Sequence, residues 1–300
     1  MTTRSDGWRR LVGAAFVVTY LLIVLGGFVR ISGSGMGCGD DWPLCNGRLI
    51  PSLEDPATLI EWGHRIVAAL VSTFVAILAI WAFVKRGSAE WTGRFRTSLW
   101  VVALLAVQVM LGAVTVWLEL PPWSVIIHLG TAMALLGLLL LAAMGASDAG
   151  TRVSFAGSAG SVARMGAWVT ALAAVAILLG ALVANLGAAP ACQGFPLCNG
   201  SVMPGGDWRA HLHWTHRLVA YVTVLGAIAL PFMARGRAKG TAWLAAGLAA
   251  AQLFVAAVMV IRVLPTSWRA MHVALGAAVF AALLAHTLIA ARQTDSSSAT

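Results

Sequence analysis

The sequence predicts an all-α integral membrane protein: eight transmembrane helices forming two pseudo-twofold-related four-helix bundles. Three observations carry that prediction. The 300 residues are 60% hydrophobic and only 10% charged, where soluble chains average about 25% charged residues. Residues 11–29, 66–84, 97–118, 120–147, 165–187, 218–234, 240–261 and 270–291 hold no Asp, Glu, Lys or Arg. Landmarks of the first half of the chain also return, in order, in the second.

Each uncharged stretch approaches or exceeds the ~20 residues that a helix needs to cross the hydrocarbon core. In lipid only helices and closed barrels satisfy their own backbone, and these stretches lack the alternation of a barrel strand. The first stretch is too long for a signal-peptide core and has no small-residue cleavage site, so it is read as a retained span. With eight spans both termini lie on one side, and 13 of the 20 basic residues, among them Arg9, Arg10, Lys85, Arg86, Arg94 and Arg152, fall there. Short positive loops stay inside, which predicts cytoplasmic termini. The net charge of +9 therefore reports topology; no stacking aromatics or recognition motif point to nucleic acid. The Ser-rich end from Asp295 to Thr300 reads as a disordered tail.

The repeat fixes the domain organisation. Pro43-Leu-Cys-Asn-Gly47 returns as Pro196-Leu-Cys-Asn-Gly200, and Cys38 as Cys192. Glu61-Trp-Gly-His-Arg65 returns as His213-Trp-Thr-His-Arg217, and His128 as His272. Residues 1–147 thus form one four-helix half, 148–164 a cytoplasmic linker, and 165–300 the second half with its tail. Both halves start inside, so the repeat is parallel, about an axis near the membrane normal.

Four histidines, His64 and His128 in the first half and His216 and His272 in the second, occupy the outer third of helices 2, 4, 6 and 8. A lone histidine in a span often just bonds a neighbouring helix. Four at one depth, two per repeat, point instead to a cofactor, because ionisable groups in spans are costly. Two imidazoles on facing helices supply both axial ligands of a haem iron. Zinc lacks a completing ligand at this depth. Haem propionates then account for arginines on the outer side, where insertion does not need them: Arg65, Arg217 and Arg269 all lie beside a candidate ligand and pair carboxylates as a fork. Interfacial anchoring is the plainer reading of each.

Glu61 lies one turn from His64, where the second half has His213. It is a candidate general base or stabiliser of positive charge, or alternatively a plain partner of Arg65. Cys38/Cys45 and Cys192/Cys198 sit in the equivalent outer loops, where disulfides persist, and their spacing closes small disulfide rings. The second pair reads as a staple; for the first, a staple and a redox role both stand. His211 and His286 are given no role.

In these residues the chain resembles the haem A synthase family, in its cysteine-containing bacterial branch. The resemblance runs over roughly residues 9–291 and is carried by Glu61–Arg65, Trp214–Arg217, His128, His272 and the two cysteine pairs. It implies an eight-helix membrane oxidoreductase that converts the C8 methyl of haem O to the formyl of haem A by successive hydroxylations with water-derived oxygen, for use in terminal oxidases. It further implies a resident haem b on His216 and His272, haem O near His64 and His128, and Glu61 as essential to the oxidation. The electron acceptor, and any contact with the haem O synthase, are not implied. Two other classes stand beside it. A dihaem b electron carrier working with quinone would not need the Glu61/His213 asymmetry, and a quinone-linked thiol oxidase would leave four histidines without a purpose.

Overall fold

The computed structural model describes residues 3–146, 148, 155 and 160–296, with side chains between Gly7 and Arg292. Among the described residues eight helices are long and apolar enough to cross a membrane. They are α1 (Thr3–Ile31), α2 (Pro56–Lys85), α3 (Ala89–Trp117), α4 (Pro122–Ala143), α5 (Gly160–Asn185), α6 (Trp208–Met233), α7 (Gly236–Ile261) and α8 (Thr266–Ser296). All the helices but α4 start ahead of their uncharged stretches, since a backbone leaving the bilayer keeps its hydrogen bonds while its side chains turn polar. The largest gains are at the starts of α2 and α6, Pro56 and Trp208, and so Glu61, His64 and Arg65, like His213, His216 and Arg217, are helical. α5 starts at Gly160, inside the segment read as linker, most of which lies outside the described residues together with Arg152. α8 stays helical through Ser296, two residues into the expected tail, whose remainder also lies outside them.

The elements begin and end for local reasons repeated in each half. Asp55 caps α2 by accepting the Thr58 N–H at 2.8 Å, and Asp207 caps α6 by accepting that of Arg209 at 2.9 Å, each satisfying an N–H that the helix leaves open. Pro56 in the first turn of α2 gives up no bond. Between α3 and α4 the chain reverses through Glu119 and Leu120 at φ 57° and 62°, and between α7 and α8 through Val263 and Leu264 at 60° and 62°. Positive φ disfavours such side chains. The turns are tied by Leu120 N–H to Thr115 O and Leu264 N–H to Met259 O, both 2.8 Å.

The chain divides into two compact units, Met1–Thr151 and Arg152–Thr300. In the first, α1 packs on α2 and α4, and α3 closes the ring against the same two helices; in the second, α5, α6, α7 and α8 repeat that adjacency. The first unit's core is built of large side chains, with Trp8, Val71, Val75, Leu78 and Leu139 buried. The second is alanine-rich along α7, where Ala238, Ala242, Ala245 and Ala249 are buried against Leu230 and Leu283. Without a hydrophobic drive between helices in lipid, such small residues gain contact by letting backbones approach.

At the end of the first unit away from its disulfide loop, Arg94 is buried, with Nε donating to Asp148 Oδ1 at 2.7 Å. Arg9 pairs with the same carboxylate, and the Arg94 guanidinium lies 4.9 Å from the Trp91 ring centre.

Candidate active site

The four predicted ligands occupy matched places. His64 is the ninth residue of α2 and His216 the ninth of α6; His128 is the seventh of α4 and His272 the seventh of α8. His64 and His128 thus lie at the same end of the first unit, in the opening turns of α2 and α4, and His216 and His272 at that of the second, in the opening turns of α6 and α8. Glycines make room for them. A Cβ on Gly26 would come within 3.0 Å of His64 Nε2, one on Gly112 within 3.3 Å of His128 Cε1, and one on Gly180 within 3.0 Å of His216 Cε1.

A disulfide-closed loop joins the first two helices of each unit and is bonded to the histidine-bearing one. Cys38 is bonded to Cys45 and Cys192 to Cys198, with Cα separations of 4.4 and 4.8 Å. Asn46-Gly47 and Asn199-Gly200, all at positive φ, turn the chain so that Cys45 pairs with Arg48 and Cys198 with Ser201. Asn and Gly suit such a reverse turn because they tolerate the left-handed region. The indole of Trp62 donates to Leu49 O at 3.0 Å, and that of Trp214 to Val202 O at 2.6 Å. Outside the spans, the Thr58 backbone N–H and hydroxyl hold the Asp55 carboxyl below the usual carboxylate range, which steadies the cap at the root of α2.

Arg65 and Arg217 clamp these loops. Arg65 Nη1 donates to the carbonyls of Asp41 and Leu44, and Arg217 Nη1 to the corresponding Gly194 and Leu197 at 3.0 and 2.9 Å. The second nitrogen separates the two units. Arg65 Nη2 donates to Glu61 Oε1 at 2.6 Å, whereas Arg217 Nη2 reaches Cys192 O at 2.7 Å. Glu61 is 4% exposed, and its other oxygen accepts the Cys38 N–H at 2.9 Å. The carboxylate thus joins α2, the disulfide loop and the arginine. His213, also buried, stands in its place in the second unit, its ring centre 6.5 Å from that of His216. Arg269, one turn before His272, is half-buried and has no side-chain hydrogen bond to any described residue. Val125 holds the matching place before His128.

The imidazoles are anchored unequally. His216 Nδ1 is 3.0 Å from Ala176 O on α5, so Nδ1 carries the proton and Nε2 keeps its lone pair for a metal. Leu22 is the matching residue on α1, and His64 makes no hydrogen bond among the described residues. On α3, Gln108 Nε2 lies 3.2 Å from His128 Nε2, and the Thr131 hydroxyl meets Gln108 Oε1. On α7, Gln252 Nε2 bonds His272 O at 3.0 Å and stands 3.5 Å from His272 Nε2. Sequence reasoning missed both glutamines, although each precedes its histidine by the same interval and the pair repeats at the histidines' own offset. His286, given no role, is fully buried, with Nδ1 3.1 Å from Ala238 O and 3.2 Å from the Thr241 hydroxyl.

Comparisons with known proteins agree with one another. The family model described as cytochrome oxidase assembly protein, COX15-CtaA, matches residues 9–284. A heme A synthase of Alkalihalophilus pseudofirmus is 35% identical over 208 residues, covering 68% of this chain and 69% of that protein. One of Symbiobacterium thermophilum is 34% identical over 255 residues, 80% of this chain and 82% of its own length. One of Geobacillus kaustophilus is 30% identical over 225 residues, 74% and 69% of the two chains. With eight spanning helices and a match over nearly the whole chain, the protein belongs to the haem A synthase family.

Proposed function

We propose that this membrane protein, whose family makes haem A, does so by oxidising the C8 methyl of haem O to a formyl group through two hydroxylations with oxygen from water. The observation that carries the reading is the pairing of two bis-histidine sites of which one alone holds a carboxylate. The residues of the second unit suit a resident haem b. Ala176 O orients His216, Gly180 leaves space beside its ring, and His272 Nδ1 is buried without a partner among the described residues. His216 and His272 would ligate the iron, and Arg269 would pair a propionate. Arg65 and Arg217 each retain unengaged N–H groups beyond the loop clamp, so propionate contacts from them add to that role. When bound, haem b supplies reversible one-electron chemistry for passing on the electrons taken from the methyl carbon.

The first unit would receive haem O between His64 and His128. Glu61, fixed by Arg65 and the Cys38 N–H, would accept the proton of the attacking water or stabilise positive charge at the reacting carbon. The Cys38–Cys45 bridge holds the loop that aims the Cys38 N–H at Glu61. The electron acceptor is a separate molecule, the haem O synthase is a candidate supplier at the membrane, and both termini face the cytoplasm. Extracting the pigments of the purified protein and weighing them tests the proposal. Haem O or haem A beside haem b supports it; two haem b per chain and nothing else would favour the dihaem carrier.

A further inference from the structure

We infer that Gln108 and Thr131 form a latch on the ligating nitrogen of His128, making iron coordination in the first unit reversible; the inference rests on the proposed placement of substrate in that unit. The geometry has three parts. Gln108 Nε2 stands 3.2 Å from His128 Nε2, the ring nitrogen far enough from the backbone to meet an iron without bringing the helix against it. The amide nitrogen only donates, so Nε2 is the accepting nitrogen and the ring proton sits on Nδ1, which is buried without a partner. Thr131, three residues after His128 on α4, holds the far end of the amide through Gln108 Oε1. Its hydroxyl also lies 3.0 Å from both Ile127 O and His128 O. A hydroxyl has one proton, so Thr131 can give up Gln108 and bond its own helical turn without being left unsatisfied. Opening leaves Gln108 Oε1 without its hydroxyl donor, a cost of about the size of one hydrogen bond, and that cost closes the latch again.

The second unit has the glutamine without the latch. Leu275 replaces Thr131, so nothing holds Gln252 Oε1, which is buried without a partner. The Gln252 amide is drawn to the backbone carbonyl of His272, and its 3.5 Å approach to Nε2 lies beyond the normal range. His272 Nε2 is therefore open to a permanent ligand, while an iron at His128 competes with a hydrogen bond. A substrate that must leave as product suits the competed nitrogen of His128; a resident cofactor suits the open nitrogen of His272. Gln108 and Thr131 are positioning residues that act through His128.

The test loads purified protein, resident haem b in place, with haem O and follows its release to excess apomyoglobin by absorbance. Gln108→Leu and Thr131→Val should each slow release about fivefold, the equivalent of one net neutral hydrogen bond. Thr131→Ser, which keeps the hydroxyl, should release at the parent rate, and the resident bis-histidine spectrum should not move in any of them. If Gln108→Leu fails to fold, Thr131→Val carries the test alone. Unchanged or faster release in Thr131→Val, with haem O binding abolished by His128→Ala, overturns the latch and leaves the substrate site standing. Haem O binding unaffected by His128→Ala overturns both.

Discussion

The two units share a scaffold down to single bonds and part company at the site. Both fasten a disulfide loop with an arginine on matching carbonyls, both dock the loop on a tryptophan indole, and both place histidines at the ninth and seventh residues of their even helices. In the first unit the arginine also holds Glu61, the His64 ring has no hydrogen-bond anchor among the described residues, and His128 is capped by Gln108. In the second the arginine takes a third carbonyl, His216 is oriented by Ala176 O, and the Arg269 side chain, one turn before His272, makes no hydrogen bond among the described residues. Identical frames with opposite degrees of preorganisation fit one tight and one exchangeable occupant.

The largest effects should come from the second unit's ligands. His216→Ala or His272→Ala should abolish the low-spin bis-histidine spectrum and haem A formation with it, while His64→Ala should leave that spectrum in place. A resident spectrum that survives both second-unit variants and disappears with His64→Ala would exchange the roles of the units.

Glu61→Gln comes next. It keeps the size and the Arg65 contact while removing the charge and most of the basicity, and loss of a general base costs about 10²–10⁴ in rate. The variant should retain resident haem, bind haem O, and accumulate it or a hydroxylated intermediate, as read by mass spectrometry of extracted pigment. Normal haem A output would reduce Glu61 to a partner of Arg65. His213→Ala, by contrast, should change output far less.

The disulfides should differ in kind. Each closes a short ring, which the chain-entropy account values at about 2–3 kcal/mol. Replacing Cys192 and Cys198 by Ser should lower thermal stability and haem retention with turnover per retained haem preserved. Replacing Cys38 and Cys45 should lower turnover as well, because the Cys38 N–H is a direct partner of Glu61. Equal loss of turnover from both pairs would erase the contrast.

What the sequence made legible follows from what carries a periodic or repeated signal. Eight spans showed as missing charge, and four histidines as a repeat, because lipid penalises every ionisable residue that lacks a purpose. Glu61 showed as a break in that repeat. Gln108 and Gln252 repeat just as cleanly but are uncharged and sit inside apolar stretches, where a search led by charge passes over them. Ala176 was not legible at all: its contribution is a carbonyl, which every residue has, aimed by helix packing alone. The Arg65–Glu61 pair was readable from one-turn spacing, whereas the clamp on Asp41 and Leu44 depends on how the loop folds back.

The smallest effect concerns the far ends of the units, which also diverge. The first unit buries Arg94 against Asp148; the second has Ala238 and Arg292 at the matching positions and leaves Ala238 O to His286. Burial works to raise the Asp148 carboxyl, but its bonds to Arg94 and Arg9 outweigh that and hold it below the usual range. A depressed folded value means the unfolded state binds the proton more readily, so the pair's contribution is complete above the unfolded carboxylate value of about 3.9. It is lost as pH falls below that and through the lower folded value. Thermal unfolding in detergent should therefore be flat in this contribution from about pH 7 to 5 and weaken below about 4. Asp148→Asn should lower the melting temperature near neutral pH, by roughly 2–4 °C for each kcal/mol of the lost pairing, because Arg94 stays buried without its carboxylate. It should also remove that part of the acid sensitivity, so the parent and variant curves converge at low pH. Curves that stay parallel down to pH 3 would mean that Asp148 titrates alike in the folded and unfolded chains.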